Sequence, residues 1–337
     1  MDNKKQQILL AERPKGTPDE HTFQFVEADI KQPEEGEVLI QTLYVSVDPY
    51  MRGRMIDAPS YVAPFELNAV IDGGVIGKVI ASKSNQLEIG DIVIGGYGWQ
   101  THYTASEDEV RKVDKEIAPI STHLGILGMT GLTAYFGLLD IGRPKEGETV
   151  VISGAAGAVG SVVGQIAKIK GAYVVGIAGS DEKNRYLSDE LQFDATINYK
   201  TTTNLANDIA KACPNGVDVY FDNVGGDISD AVHANLNKFA RIPVCGAISS
   251  YNLEGEDIGP RIQTTLIKKS ALMQGFTLGD YADRFPEGSK ALAQWLQQGK
   301  LQYQETIKEG FENIPDAFLD LFKGNNTGKL LVKIAEQ

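Results

Sequence analysis

The chain has 337 residues, is 42% hydrophobic and carries a formal net charge of -13. That length predicts two domains, and that acidity excludes nucleic acid and anionic membrane surfaces as principal partners. A phosphate ligand stays compatible with it, because backbone dipoles and one or two cations make such a site locally.

The opening residues, MDNKKQQILL, have neither the long apolar run nor the small-residue cleavage site of a signal peptide. No later apolar run approaches a membrane span, so a reducing cytoplasm is the expected compartment. Residues 1–124 read as β-rich, with strands at 38–45, 74–81 and 90–96 between glycine turns, and such short strands predict a partly open barrel. Apolar spacing then turns helical over 123–139, where Gly125, Gly128, Gly131 and Gly137 permit close packing. Strands at 149–152, 173–178, 195–199, 217–223, 241–247 and 272–276 follow, with helices at 162–169, 181–191, 205–213 and 227–236 between them. This alternation predicts a doubly wound parallel sheet, hence an α/β protein. The tail reads as helices at 289–298 and 314–322 and a last strand at 329–334.

The most informative stretch is TVVISGAAGAVGS, 149–161. A buried strand, a small-residue turn and a helix in that order point unpaired backbone N–H groups at a pyrophosphate. The usual glycines stand at the first, third and sixth positions of the turn. Here those positions are Ala155, Gly157 and Gly160, with Ala156, Ala158 and Val159 between them. Gly157 lets the backbone approach a phosphate, and Gly160 lets helix pack on strand.

The next strand decides which dinucleotide fits. An NAD site ends it with an acid for the ribose 2′-hydroxyl. This strand ends in Gly179-Ser180, followed by Asp181, Glu182 and Lys183. The small pair leaves room for a 2′-phosphate and Lys183 offers a cation, while the two acids read as a helix first turn. NADP(H) is favoured over NAD(H) on this reading. Ligands of such sheets sit beyond the carboxyl ends of the strands, which selects Gly179, Ser180, Tyr199, Asn223 and the stretch 245–251. Cys213 and Cys245 are far apart and His21, His102 and His123 stand in no ligand spacing, so no metal site is expected.

The stretches VDPYMRG (47–53), AAGAVGS (155–161), AGSDEK (178–183), INYKT (197–201), YFDNVGG (220–226), CGAISSY (245–251) and GNNTGK (324–329) resemble the medium-chain dehydrogenase/reductase superfamily. More narrowly, the chain resembles its zinc-independent double-bond reductases, the alkenal, prostaglandin and bacterial curcumin reductases. The resemblance implies a GroES-like catalytic domain, 1–124 with 290–337, and a Rossmann domain, 125–289. It implies NADPH as cofactor and a homodimer. Lys183 and Tyr199, with Ser180 nearby, would meet the 2′-phosphate. Asn223, Cys245, Gly246, Ile248, Ser249 and Tyr251 would line the nicotinamide side. Pro49, Tyr50, Phe276 and Asn326 would also touch cofactor. Thr327 departs from the pattern, since relatives often carry Leu there.

Without a metal the substrate supplies its own electron sink, as a conjugated carbonyl does. Hydride adds to the β-carbon, charge moves to the carbonyl oxygen, and a donor aimed there stabilises the transition state. Tyr251 is the expected catalytic donor, with packing at a domain cleft as its bland alternative. Tyr50, Phe65, Tyr97 and Trp99 are expected to line the substrate pocket with it, or else to be ordinary core. Arg52 reads as structural. The expected activity is an enone or enal reductase. A zinc-independent quinone reductase is the alternative enzyme, and a non-catalytic NADPH-binding protein the alternative of another class.

Overall fold

The computed structural model describes residues 3–337. The chain divides into two compact units: the described residues up to Leu124 with Glu305–Asn326 and Leu330–Gln337, and Gly125–Gln304 with Thr327–Lys329.

In the first unit Lys4–Leu10 pairs antiparallel with Phe23–Asp29. A seven-stranded sheet runs Glu305–Glu309, Lys329–Lys333, Glu37–Ser46, Val75–Ser82, Ile92–Gly95, Arg111–Lys112, with His102–Ser106 added beside Glu37–Ser46. Glu37–Ser46 is its spine. One edge pairs with Val75–Ser82; the other pairs first with His102–Ser106 and then, at Tyr44, Val45 and Ser46, with the C-terminal strand. Val38 and Ile40, two residues apart, share one core with Trp99 and Phe318, and Val45 joins them after the register shift between Thr42 and Tyr44. Strands Lys4–Leu10 and Phe23–Asp29 carry Lys, Gln, Glu and Asp along much of their length, so apolar runs do not announce them.

In the second unit six parallel strands, counted along the chain, lie in the order 3-2-1-4-5-6. These are Thr149–Ser153, Tyr173–Ala178, Ala195–Asn198, Val217–Phe221, Leu236–Val244 and Leu272–Gly275. The order reverses between Thr149–Ser153 and Val217–Phe221, and in such sheets ligands bind beyond the carboxyl ends at that point. Helices Gly160–Ile169, Leu205–Ala212 and Gly226–His233 bury apolar faces on the sheet.

Several elements differ from the sequence reading. The helix expected from 123 starts at Met129, after a short 3₁₀ turn Ile120–Leu124 and a break at Gly128, and ends as a π-helix, Gly137–Gly142. A Cβ on Gly131 would stand 1.8 Å from the Ile126 carbonyl oxygen, so the break and this glycine belong together. The strand expected at 241–247 is Leu236–Val244, bulged between the pairs Val217↔Leu236 and Val219↔Arg241. Phe239 lies inside that bulge at φ 66°, which no apolar pattern reveals. The chain was expected to return to the first domain at 290. Helix Phe285–Gln297 instead packs on Met129–Phe136 and stays in the second unit.

Burial makes the fold acid-sensitive. Desolvation holds the His123 and His233 rings below their ordinary pKa, so the unfolded chain takes up protons first, near pH 6.5. Stability is full above that pH and falls as pH drops toward the folded values. The slope is about 1.4 kcal/mol per pH unit for each ring. Urea unfolding is expected to show a lower midpoint at pH 5.5 than at pH 7.5; a flat profile would show that neither ring is buried neutral.

Candidate functional site

Strand Thr149–Ser153 is buried throughout, and Gly154 follows it at φ +59°. The Gly157 N–H donates to the Gly154 carbonyl at 3.0 Å, closing the turn. A Cβ on Gly160 would lie 2.4 Å from the Gly154 oxygen and 2.8 Å from the Ala155 Cα, so helix and strand approach closely only with glycine here. Helix Gly160–Ile169 starts after Val159 with no side-chain cap; its Ser161 and Val162 N–H groups donate to the Gly157 and Val159 carbonyls at 3.1 Å, and a helix start of this kind after a strand and a small-residue turn could hold an anion.

A second strap was not foreseen. The Gly328 N–H donates to the Ala156 carbonyl at 2.7 Å, and Gly328 bridges Gly157 in parallel. Gly328 sits at φ +67°, and a Cβ there would meet the Gln304 oxygen at 1.9 Å. Gly328 therefore clasps the glycine turn. The repeated glycine of the GNNTGK stretch was the available signal.

The second corner forms where Tyr173–Ala178 ends. Ser180 caps helix Asp181–Arg185, its Oγ accepting the Lys183 N–H at 3.2 Å. Asp181 and Glu182 fill the first helical turn, and Asp181 is held by the Asn198 amide at 2.7 Å. Gly179 leaves a notch: a Cβ there would lie 3.0 Å from the Tyr199 ring and 3.2 Å from Lys200 Cε. Burial, and then the Lys200 ammonium, hold Lys183 below the usual lysine range. Two lysines brought together beside a capped helix start could hold a dianion. Lys200 escaped the sequence reading although it follows Tyr199 directly.

The third corner lies across the switch point. Asn223 donates its N–H to Ser153 Oγ at 2.9 Å and its side-chain amide to the Ser153 carbonyl at 2.8 Å. The Cys245 and Gly246 N–H groups donate to the Asp222 carbonyl at 2.8 and 3.2 Å, and Ile248 and Ser249 donate to the Asn223 and Val224 carbonyls at 3.4 and 3.0 Å. Tyr251 folds back over this turn: its phenol oxygen accepts the Ala247 N–H at 3.2 Å and would lie 3.1 Å from a Cβ on Gly246. Burial raises the phenol above its ordinary range. Its proton therefore stays on and, with the Ala247 bond using a lone pair, is available to donate. The Phe276 ring packs against Gly137, Phe221 and Tyr281.

The first unit holds Pro49, Tyr50, Phe65, Tyr97, Trp99 and Asn326. Pro49 precedes helix Tyr50–Arg54 in a helical conformation, and burial, then the Asp48 carboxylate, raise the Tyr50 phenol. Three of the pocket candidates pack as core, the alternative the sequence left open for them. Trp99 is fully buried and packs with Phe23 and Phe318 at 5.7 and 5.9 Å between centroids. Tyr97 is buried and stacked on Tyr103 at 5.0 Å. Phe65 is buried beneath the Arg54 guanidinium at 4.1 Å. All three are core of the antiparallel sheet, where large rings bury the most apolar area. Arg52 is structural, donating to the carbonyls of Gly16 at 2.7 Å and Pro14 at 3.3 Å.

Among the described residues no three His, Cys, Asp or Glu side chains come together as a metal site. Burial pushes both thiols up to about 12, with Asp222 adding to the effect at Cys245. Neither thiol is a ready thiolate ligand. Exhaustive chelation is expected to leave activity unchanged, and stoichiometric zinc in active protein would contradict this.

The family described as "N-terminal domain of oxidoreductase" matches residues 6–113, and that described as "Zinc-binding dehydrogenase" matches 158–294. The residues present do not fit the zinc of that description. The chain is 66% identical to NADP-dependent oxidoreductase YfmJ of Bacillus subtilis, over 98% of each chain. It is 45% identical to the NADPH-dependent curcumin reductase of Escherichia coli, over 97% of this chain and 96% of that one. The crystal structure of CurA in complex with NADPH from Vibrio vulnificus matches with a TM-score of 0.94 at 45% identity, over 98% of this chain and 100% of that one. The chain is thus an oxidoreductase of the medium-chain dehydrogenase/reductase family, and belongs to the branch that holds the alkenal, prostaglandin and curcumin reductases.

Proposed function

We propose that this protein reduces the C=C double bond of α,β-unsaturated ketones and aldehydes at the expense of NADPH. The observation that carries the reading is Tyr251, a phenol kept protonated by burial on the turn beyond the switch point. The similarity to an NADPH-dependent curcumin reductase supports it.

Ser180, Lys183, Tyr199 and Lys200 would hold the 2′-phosphate, Gly157 to Gly160 the pyrophosphate, and Asn223 with the 245–251 turn the nicotinamide half. When bound, the cofactor supplies hydride to the β-carbon. Tyr251 donates to the carbonyl oxygen as negative charge develops there, which favours the transition state over the ground state. Tyr251 or water then protonates the α-carbon. Tyr50 is the second phenol of the family pattern, and its raised pKa likewise keeps it a donor.

The test is NADPH consumption across linear enones, enals and quinones, with deuterated NADPH locating the transferred hydride. Turnover of enones with deuterium at the β-carbon is expected. Consumption with quinones alone would replace the reading with quinone reduction. Binding without turnover on any substrate would make the protein a cofactor binder.

We further propose a homodimer formed along the edge strand Leu272–Gly275. This strand pairs on one side only, with Leu236–Val244, Leu272 is 39% exposed on it, and an open strand edge invites pairing. Sedimentation at micromolar concentration checks it, a monomer refuting it. Both thiols are free, as the cytoplasm we assign would keep them.

A further inference from the structure

We propose that Asp222 is a positioning residue for hydride transfer, its buried carboxylate fixing Asn223 and the 245–251 turn against the end of strand Thr149–Ser153. The proposal rests on the NADPH-dependent reductase reading above. Asp222 directly follows strand Val217–Phe221 and is 2% exposed. Among the described residues no lysine or arginine pairs with it. A carboxylate buried without a cation is costly unless donors surround it.

Donors do surround it. Its Oδ1 accepts the N–H groups of Val224 at 3.0 Å and Gly225 at 2.9 Å, the Tyr220 hydroxyl at 2.9 Å and the Ser153 hydroxyl at 3.2 Å, and its Oδ2 accepts the Ser229 hydroxyl at 2.6 Å. Those groups come from the strand before the glycine turn, from its own strand and turn, and from helix Gly226–His233. Gly225 and Gly226, at φ +73° and +56°, then turn the chain into helix Gly226–His233, which carries Ser229. The Asp222 backbone holds the opposite wall, since its carbonyl accepts Cys245 and Gly246. Ser153, bonded to Asp222, also receives the Asn223 N–H. A Cβ on Gly225 would touch the Ala247 Cβ at 3.2 Å, so the turn that the carboxylate shapes is the floor of the Tyr251 turn.

An apolar residue of similar size would leave the Val224 and Gly225 N–H groups and three hydroxyls without this acceptor, and each donor left unpaired costs stability. The carboxylate's distinct effect is to fix three segments at the switch point, where a displacement of about 1 Å costs rate rather than folding. Asp222→Asn keeps the shape and one acceptor oxygen but removes the charge that draws the donors together.

The experiment uses the full-length protein with NADPH and the enone turned over best. Asp222→Asn is expected to lower the single-turnover rate of NADPH oxidation tenfold or more, with NADPH affinity changed less than threefold. The deuterium isotope effect on that rate should be full. Ser229→Ala is expected to give a smaller loss, and the double variant less than the product of the two, because both act through one network. A wild-type single-turnover rate in Asp222→Asn, or a rate loss matched by the loss of affinity, would overturn the proposal. If Asp222→Asn does not fold, Ser229→Ala decides: a wild-type rate overturns it. If the wild-type protein transfers hydride to nothing, the reductase reading has failed, and the fluorescence of bound NADPH then tests positioning alone. Altered nicotinamide emission in Asp222→Asn supports the proposal, and unchanged emission overturns it.

Discussion

Replacing Tyr251 by Phe is expected to lower the rate of hydride transfer by roughly tenfold to a thousandfold while leaving NADPH affinity close to unchanged. The range corresponds to about 1.4–4 kcal/mol of transition-state stabilisation, the worth of one neutral donor in a preorganised site. The geometry sets the terms. The phenol oxygen already accepts the Ala247 N–H at 3.2 Å, so the hydroxyl is held in place and its proton points away from that bond. Burial raises its pKa, so it donates across the neutral range. Removing the oxygen also leaves the Ala247 N–H without its partner, at a cost of about 1 kcal/mol in stability. Thermal unfolding separates that loss from the catalytic one. Single-turnover kinetics are needed because product release can mask the chemical step. A Phe variant with the wild-type single-turnover rate would remove Tyr251 from the mechanism and transfer the donor role to Tyr50.

Lys183→Ala and Lys200→Ala are each expected to weaken NADPH at least tenfold and to leave NADH nearly unaffected. Tenfold is about 1.4 kcal/mol, which one charge-assisted contact to a dianion readily supplies. Burial first, and then repulsion from Lys200, lowers the Lys183 pKa. An anion between them relieves that repulsion, so the pair should read the 2′-phosphate and ignore a ribose hydroxyl. Added salt should shrink the preference through screening. Equal losses for both dinucleotides, measured by titrating NADPH and NADH against each variant, would show that these side chains act on the fold of the corner and not on the phosphate.

Much of this protein is legible from local sequence because its physics is local. Strand, small-residue turn and helix are neighbours in 149–161, so the cradle, its glycines and its helix start follow from spacing alone. Asp181 and Glu182 lie in the helix first turn, where carboxylates complement the dipole whatever the rest of the chain does. The strand-end rule selects Asn223 and the 245–251 turn because a parallel sheet places all its carboxyl ends on one side.

What only the tertiary structure decided depends on residues far apart in the chain. Trp99, Tyr97 and Phe65 are equally plausible as pocket or core until Phe318, Tyr103 and Arg54 pack on them. Gly328 reaches Ala156 across more than half the chain, and Lys200 joins Lys183 only because the strands ending at Ala178 and Asn198 pair in parallel register. Asp222 reads as one acid at a strand end. Its donors at Ser153 and Ser229 come from separate elements, and a buried carboxylate is defined by donors that only the folded chain assembles.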